Sequence, residues 1–88
     1  MVKELKLRQE ELVWREIDNE LIAVDVAASA YLSANPAGAL LWQMLAEGTT
    51  RQELIDNLVE RFGISSEQAA TDVDAFLQSL EARRLLAP

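Results

Sequence analysis

One dipeptide, Asn35-Pro36, divides this chain into two halves that cannot share a secondary structure. An Asn side-chain oxygen caps a helix well, and Pro suits the first helical position because it has no N–H to leave unpaired. Upstream of the pair the segments suit strands. Downstream, apolar residues recur at helical spacing. A small sheet followed by a helical bundle is the expected architecture, of class α+β.

In the strand half, Leu12-Val13-Trp14-Arg15-Glu16-Ile17 is rich in strand formers. Asp18-Asn19 follows, a pair that tolerates the positive φ of a two-residue hairpin turn. Glu20 to Val26 reads as the second strand, and its nearly continuous apolar character suits the middle of a sheet. Ala27-Ala28-Ser29 is a weaker turn signal, and Ala30 to Ala34 is a short third strand. Short links make this a meander with the third strand at an edge. Ahead of these, Leu5-Lys6-Leu7-Arg8 alternates apolar and basic residues, which fits a short strand or an extended arm.

In the helical half, Ala37, Leu40, Leu41, Met44 and Leu45 share one broad face, widened by Trp42, over about Pro36 to Glu47. Gly48 is placed to end that helix. Thr50-Arg51-Gln52-Glu53 has the spacing of a capping box, and Leu54, Ile55, Leu58, Val59 and Phe62 form the next stripe before Gly63. Ser65-Ser66-Glu67-Gln68 offers a second capping box. The third helix carries Ala69, Val73, Phe76, Leu77 and Leu80 on one face, with Arg83 and Arg84 near its end, where positive charge suits the helix dipole.

The composition narrows the function. The 88 residues suffice for one domain, residues 1–88, and not for two. With no Cys and no His, thiolate catalysis, disulfides, zinc sites and imidazole acid–base chemistry are absent from the chain. No catalytic residue, metal ligand or cofactor is expected. No signal-peptide core and no run of about 18 apolar residues is present, so no membrane partner is expected and the expected compartment is the cytoplasm. Three strands and then three helices is a winged helix-turn-helix-like order, and such a fold can serve DNA. The net charge of −7, with Glu67, Asp72, Asp74 and Glu81 on the third helix, would repel phosphates and argues against nucleic acid. The run Glu53, Asp56 and Glu60 reads as a solvated helix face with Arg51 and Arg61 nearby.

The third strand is the informative surface. An open edge is an aggregation hazard unless blunted or used, and Ala30–Ala34 holds no Lys, Pro or charge to blunt it. One use is strand addition, in which a peptide completes the sheet through backbone bonds while neighbouring pockets read its side chains. Self-pairing of the same edge, giving a weak dimer of an otherwise monomeric chain, is the other. Tyr31 has two open roles: its ring covers the sheet with the hydroxyl in solvent, or it lines a groove between the edge strand and a helix.

The pattern Tyr31-Leu32-x-x-Asn35-Pro36-x-Gly38-Ala39-x-x-Trp42, then Leu45-x-x-Gly48-Thr49-Thr50, resembles the family typified by the pyrroloquinoline quinone biosynthesis protein D. Glu53-Leu54-Ile55, Arg61-Phe62-Gly63-Ile64, Asp72-Val73-x-x-Phe76-Leu77-x-x-Leu80 and Leu85-Leu86 continue the likeness over about Leu12 to Leu86. The resemblance implies a recognition element for ribosomally made, post-translationally modified peptides. Such a protein binds the leader segment of a precursor peptide as a strand on the third strand, in a cleft against the third helix. It then presents the precursor to a maturation enzyme. The chain looks like a standalone member of the lasso-peptide type, whose partners are a leader peptidase and a cyclase. The alternative is a peptide chaperone for a radical SAM enzyme, as in pyrroloquinoline quinone synthesis.

Carried onto this chain, the resemblance implies a peptide-binding edge of Ala30, Tyr31, Leu32 and Ser33. It implies a helical wall of Ala69, Asp72, Val73 and Phe76, with Asp72 meeting a basic leader residue. Two positions depart from the family pattern. Ala34 stands where many members have Leu, which deepens the cleft or thins the core. Arg84 stands where many have Gly; Arg adopts left-handed geometry with strain, so the third helix is expected to run straighter or longer.

Overall fold

The computed structural model describes residues 3–88. Three strands precede three helices: β1 (Leu12–Ile17), β2 (Glu20–Asp25), β3 (Ala30–Ala34), α1 (Pro36–Glu47), α2 (Arg51–Phe62) and α3 (Ser66–Ala82). The sheet is an antiparallel meander in the order β1-β2-β3, so β3 lies at one edge and β1 at the other. The α+β, winged-helix-like order expected from the sequence is the one found.

Asp18 and Asn19 take φ of 51° and 66° and join β1 to β2. Two central residues at positive φ give the primed turn, whose twist matches that of the strands. β2 ends at Asp25, one residue before the expected Val26, whose N–H instead donates to the Glu11 carbonyl at 2.8 Å. Side chains then alternate across the pleat. Leu12, Leu21 and Ala23 are buried against the helices, while Val13, Ile22, Val24 and Tyr31 stand exposed on the outer face.

Trp42 anchors the core, fully buried, with the Trp14 ring edge-on at 5.8 Å. Leu45, Leu54, Leu58, Val73 and Leu80 pack in the same cluster. The caps hold the helices in place. Asn35 Oδ1 accepts from the Gly38 N–H at 2.9 Å, and the Thr50–Glu53 capping box forms in both directions. The second box forms only by half. Ser65 Oγ accepts from the Gln68 N–H, but the Gln68 side chain donates to Asp72 Oδ1 at 2.8 Å. Arg51 makes a two-pronged ion pair with Asp74, at 2.7 and 2.9 Å, and ties α2 to α3.

The segment Leu5–Arg8 is an extended arm joined by isolated bridges from Leu5 to Thr49 and from Leu7 to Leu86. Leu7 is fully buried, which contributes about 1.5–3 kcal/mol for such a side chain. Arg8 completes the clasp. Its Nη1 donates to the Arg84 carbonyl at 3.2 Å and its Nη2 to Asp25 Oδ1 at 2.6 Å. That bond holds the Asp25 carboxyl below its ordinary pKa, on a side chain that is 8% exposed.

α3 stops at Ala82, and Arg84 takes φ of 58°. The expectation of a straighter or longer helix is therefore corrected. The chain turns in left-handed geometry without a Gly because the turn is bonded on both sides. The Leu85 N–H donates to the Leu80 carbonyl at 2.9 Å, and the turn carries Leu85 into the core.

Candidate functional site

The backbone of β3 fixes what its edge offers. In a two-residue hairpin the closing pair, Ile17 and Glu20, exchanges both hydrogen bonds, and every second pair beyond it does the same. Ile22 and Val24 therefore turn their backbone groups toward β1, while Leu21, Ala23 and Asp25 turn theirs toward β3. Their partners Ala34, Leu32 and Ala30 spend their N–H and C=O groups inside the sheet. The backbone groups of Tyr31 and Ser33 face the open edge.

Beside that edge lies a trough between β3, the start of α1, and α3. One hollow of about 260 Å³ runs from Leu32, Ser33 and Ala34 across to Ser79, Leu80 and Arg83. A second, of about 400 Å³, continues past the end of β3 between Leu41 and Asp72. Asn35, Gly38 and Phe76 border both, so the two hollows adjoin across the Phe76 ring. Gly38 makes the junction tight. A Cβ there would stand 3.0 Å from Ala34 Cβ and 3.3 Å from Phe76 Cε1. Ala34 lines the first hollow, so the small residue at this position opens the cleft where a Leu would occupy part of it.

The eight residues expected at the site divide into three groups. Leu32, Ser33, Asp72 and Phe76 border the trough, and Ala30 is half-buried at the start of the edge strand. Tyr31 supplies backbone to the edge, but its side chain is 77% exposed on the outer face, in a row with Val13 and Val24. That excludes the groove-lining role for its ring. Ala69 and Val73 are fully buried in the core and hold α3 in place from behind. They are not cleft-lining residues here.

Gly38, Asn35, Ser79 and Arg83 are among the bordering residues that were not expected there. Asp72, Phe76, Ser79 and Arg83 are four, three and four residues apart, the spacing of one helical stripe. That spacing was readable in the sequence. What the apolar pattern did not show is that this stripe, and not the buried one, borders the trough.

The segment 20–86 matches the family model of Coenzyme PQQ synthesis protein D. No curated protein matches the chain. Among solved structures, TbiB1 in complex with the TbiA(beta) leader peptide is 23% identical, covering 92% of this chain and 93% of that one, with a TM-score of 0.84. Lasso peptide synthetase B1 complexed with the leader peptide is also 23% identical, covering 96% of this chain and 98% of that one, with a TM-score of 0.82. At that identity the likeness is one of fold.

Proposed function

The chain belongs to the family of Coenzyme PQQ synthesis protein D, and from that premise we propose that it binds the leader segment of a ribosomally made precursor peptide and presents it to a maturation enzyme. The observation that carries this reading is the uncharged edge of β3, with the backbone of Tyr31 and Ser33 facing outward beside the trough. A leader added as a fourth strand meets two N–H and two C=O groups there. Each bond contributes about 0.5–1.5 kcal/mol net. Alternate side chains of the added strand face the trough, where Leu32 and Phe76 receive apolar groups.

Both similar structures hold a leader peptide, which supports the same ligand class for this chain. The lasso-peptide setting of the second favours a leader peptidase and a cyclase as the partners over a radical SAM enzyme. In this reading residues 1–88 form one recognition domain that works in the cytoplasm. It makes and breaks no bonds, and it acts by holding the precursor in an extended form.

The test is a titration with the leader segment of a short precursor encoded beside the gene. The proposal predicts saturable one-to-one binding, with amide shifts along Ala30–Ser33 and around Phe76. A folded protein that leaves all those amides unmoved at saturating leader contradicts it.

A further inference from the structure

The two hollows of the trough differ in charge. Among the described residues, Asp72 is the one charged residue bordering the hollow past the end of β3, and Arg83 is the one bordering the hollow beside Leu32. Both lie on the stripe that also carries Phe76 and Ser79. The offset of 11 residues spans about 16 Å along a helix. It returns within about 20° of the same direction, at roughly 100° per residue. In a chain of net charge −7, a cation in this position stands out. Among the described residues, the ion pairs are Arg8 with Asp25 and Arg51 with Asp74, so Arg83 has no carboxylate partner. Asp72 accepts one hydrogen bond from Gln68 through Oδ1, and among the described residues no hydrogen bond is made to its Oδ2.

Resting on the leader-binding reading above, we infer that Asp72 and Arg83 are specificity residues that read a charge pair in the bound segment and set its direction. A strand rises about 3.3 Å per residue, so about 16 Å corresponds to roughly five residues. Each existing pair in the sheet is antiparallel. An antiparallel segment passes the end of β3 first, beside Asp72, and reaches Leu32 and Arg83 later. Only side chains an even number of residues apart share the face toward the trough, so the matching ligand is an extended peptide with a basic residue followed about four or six positions later by an acidic one. Apolar side chains between them meet Phe76. A segment of the opposite polarity, or one running parallel to β3, would set like charges together at both ends of the trough.

The experiment titrates the wild-type chain, Arg83→Glu and Arg83→Ala with the leader segment of the neighbouring precursor, and with versions of that peptide whose acidic residues are changed singly to Lys. Thermal melts of the variants establish that they are folded, and Arg83→Ala covers the case in which Glu is poorly tolerated at the helix end. The inference predicts that Arg83→Glu weakens binding of the unmodified leader by about fivefold, with the difference shrinking as salt rises. It also predicts that one acid-to-Lys peptide loses affinity for the wild type and regains it on Arg83→Glu. Equal affinity of all three proteins for the unmodified leader overturns the inference while leaving leader binding intact. So does a tightly bound leader with no acid in that register. A wild-type chain that binds no leader overturns both readings at once.

Discussion

β1 and β3 are both edge strands, yet they surround their unpaired backbone with different side chains. The outward backbone groups of β1 belong to Leu12, Trp14 and Glu16, and the strand carries two charged residues, Arg15 and Glu16. Glu16 Oε2 also accepts from Gln43 Nε2 at 2.8 Å, which ties the strand to α1. β3 carries no charge at all, and the trough lined by Phe76, Ser79 and Arg83 runs beside it. Charged side chains discourage another strand from pairing, whereas a bare edge next to a receptive wall invites one. Unpaired backbone is thus common to both edges, and in the proposed function the side chains around it decide which one is used.

The sharpest way to break this contrast is to remove one outward donor. Ser33→Pro is expected to stay folded, because its N–H is outside the ladder, and to weaken leader binding by about tenfold or more in a calorimetric titration. Leu32→Pro is the informative neighbour. Its N–H is bonded to Ala23, so the same substitution one residue earlier strikes the sheet itself and costs about 1–3 kcal/mol in a denaturant melt. If the two variants behave alike, the register derived for the edge is wrong.

Phe76→Ala tests the wall. The half-buried ring separates the two hollows, so its loss should weaken leader binding and cost about 2 kcal/mol of stability, below the ~3–5 kcal/mol typical of a fully buried Phe.

Two smaller effects concern the clasp that holds the sheet and the end of α3 together. Arg84→Gly relieves a left-handed residue and should stabilise the fold by about 0.5–1 kcal/mol, with leader affinity unchanged. Asp25 is held below its ordinary pKa by Arg8, so its contribution is present above the unfolded carboxylate value of 3.8 and is lost as pH falls through the lower folded value. Melts of Asp25→Asn should therefore lie below those of the wild type at neutral pH and converge with them in strong acid. Smallest in its effect on binding is Glu16→Pro, the mirror substitution on β1. It should leave leader affinity unchanged and, by losing the bond to Gln43, cost about 0.5–1.5 kcal/mol in a denaturant melt.

Much of this was legible in the residues. Asn35-Pro36 marked the junction, Asp18-Asn19 the hairpin, and Ala30–Ala34 a short edge strand. The details of the site were harder to read, for physical reasons. Strand alternation says that Tyr31 and Leu32 face opposite ways, but not which of them faces the helices. In α3, Leu77 and Phe76 are one residue apart and so about 100° apart around the axis, and both are apolar. Spacing put Ala69, Val73, Phe76, Leu77 and Leu80 on one broad face, and the wall carried over from the resemblance drew on it without separating the part that packs into the core, where Ala69 and Val73 lie. Arg84 shows the converse. Residue preference argued for a longer helix, and the burial of Leu85 outweighed it.

The central claim is that β3, and not β1, accepts the leader as a strand. Amide hydrogen exchange of the folded protein, with and without saturating leader segment, tests it most directly. The account predicts new protection at the Tyr31 and Ser33 amides, with Trp14 and Glu16 unchanged. Saturable binding that protects the β1 amides, or that leaves Tyr31 and Ser33 exchanging as before, would contradict it.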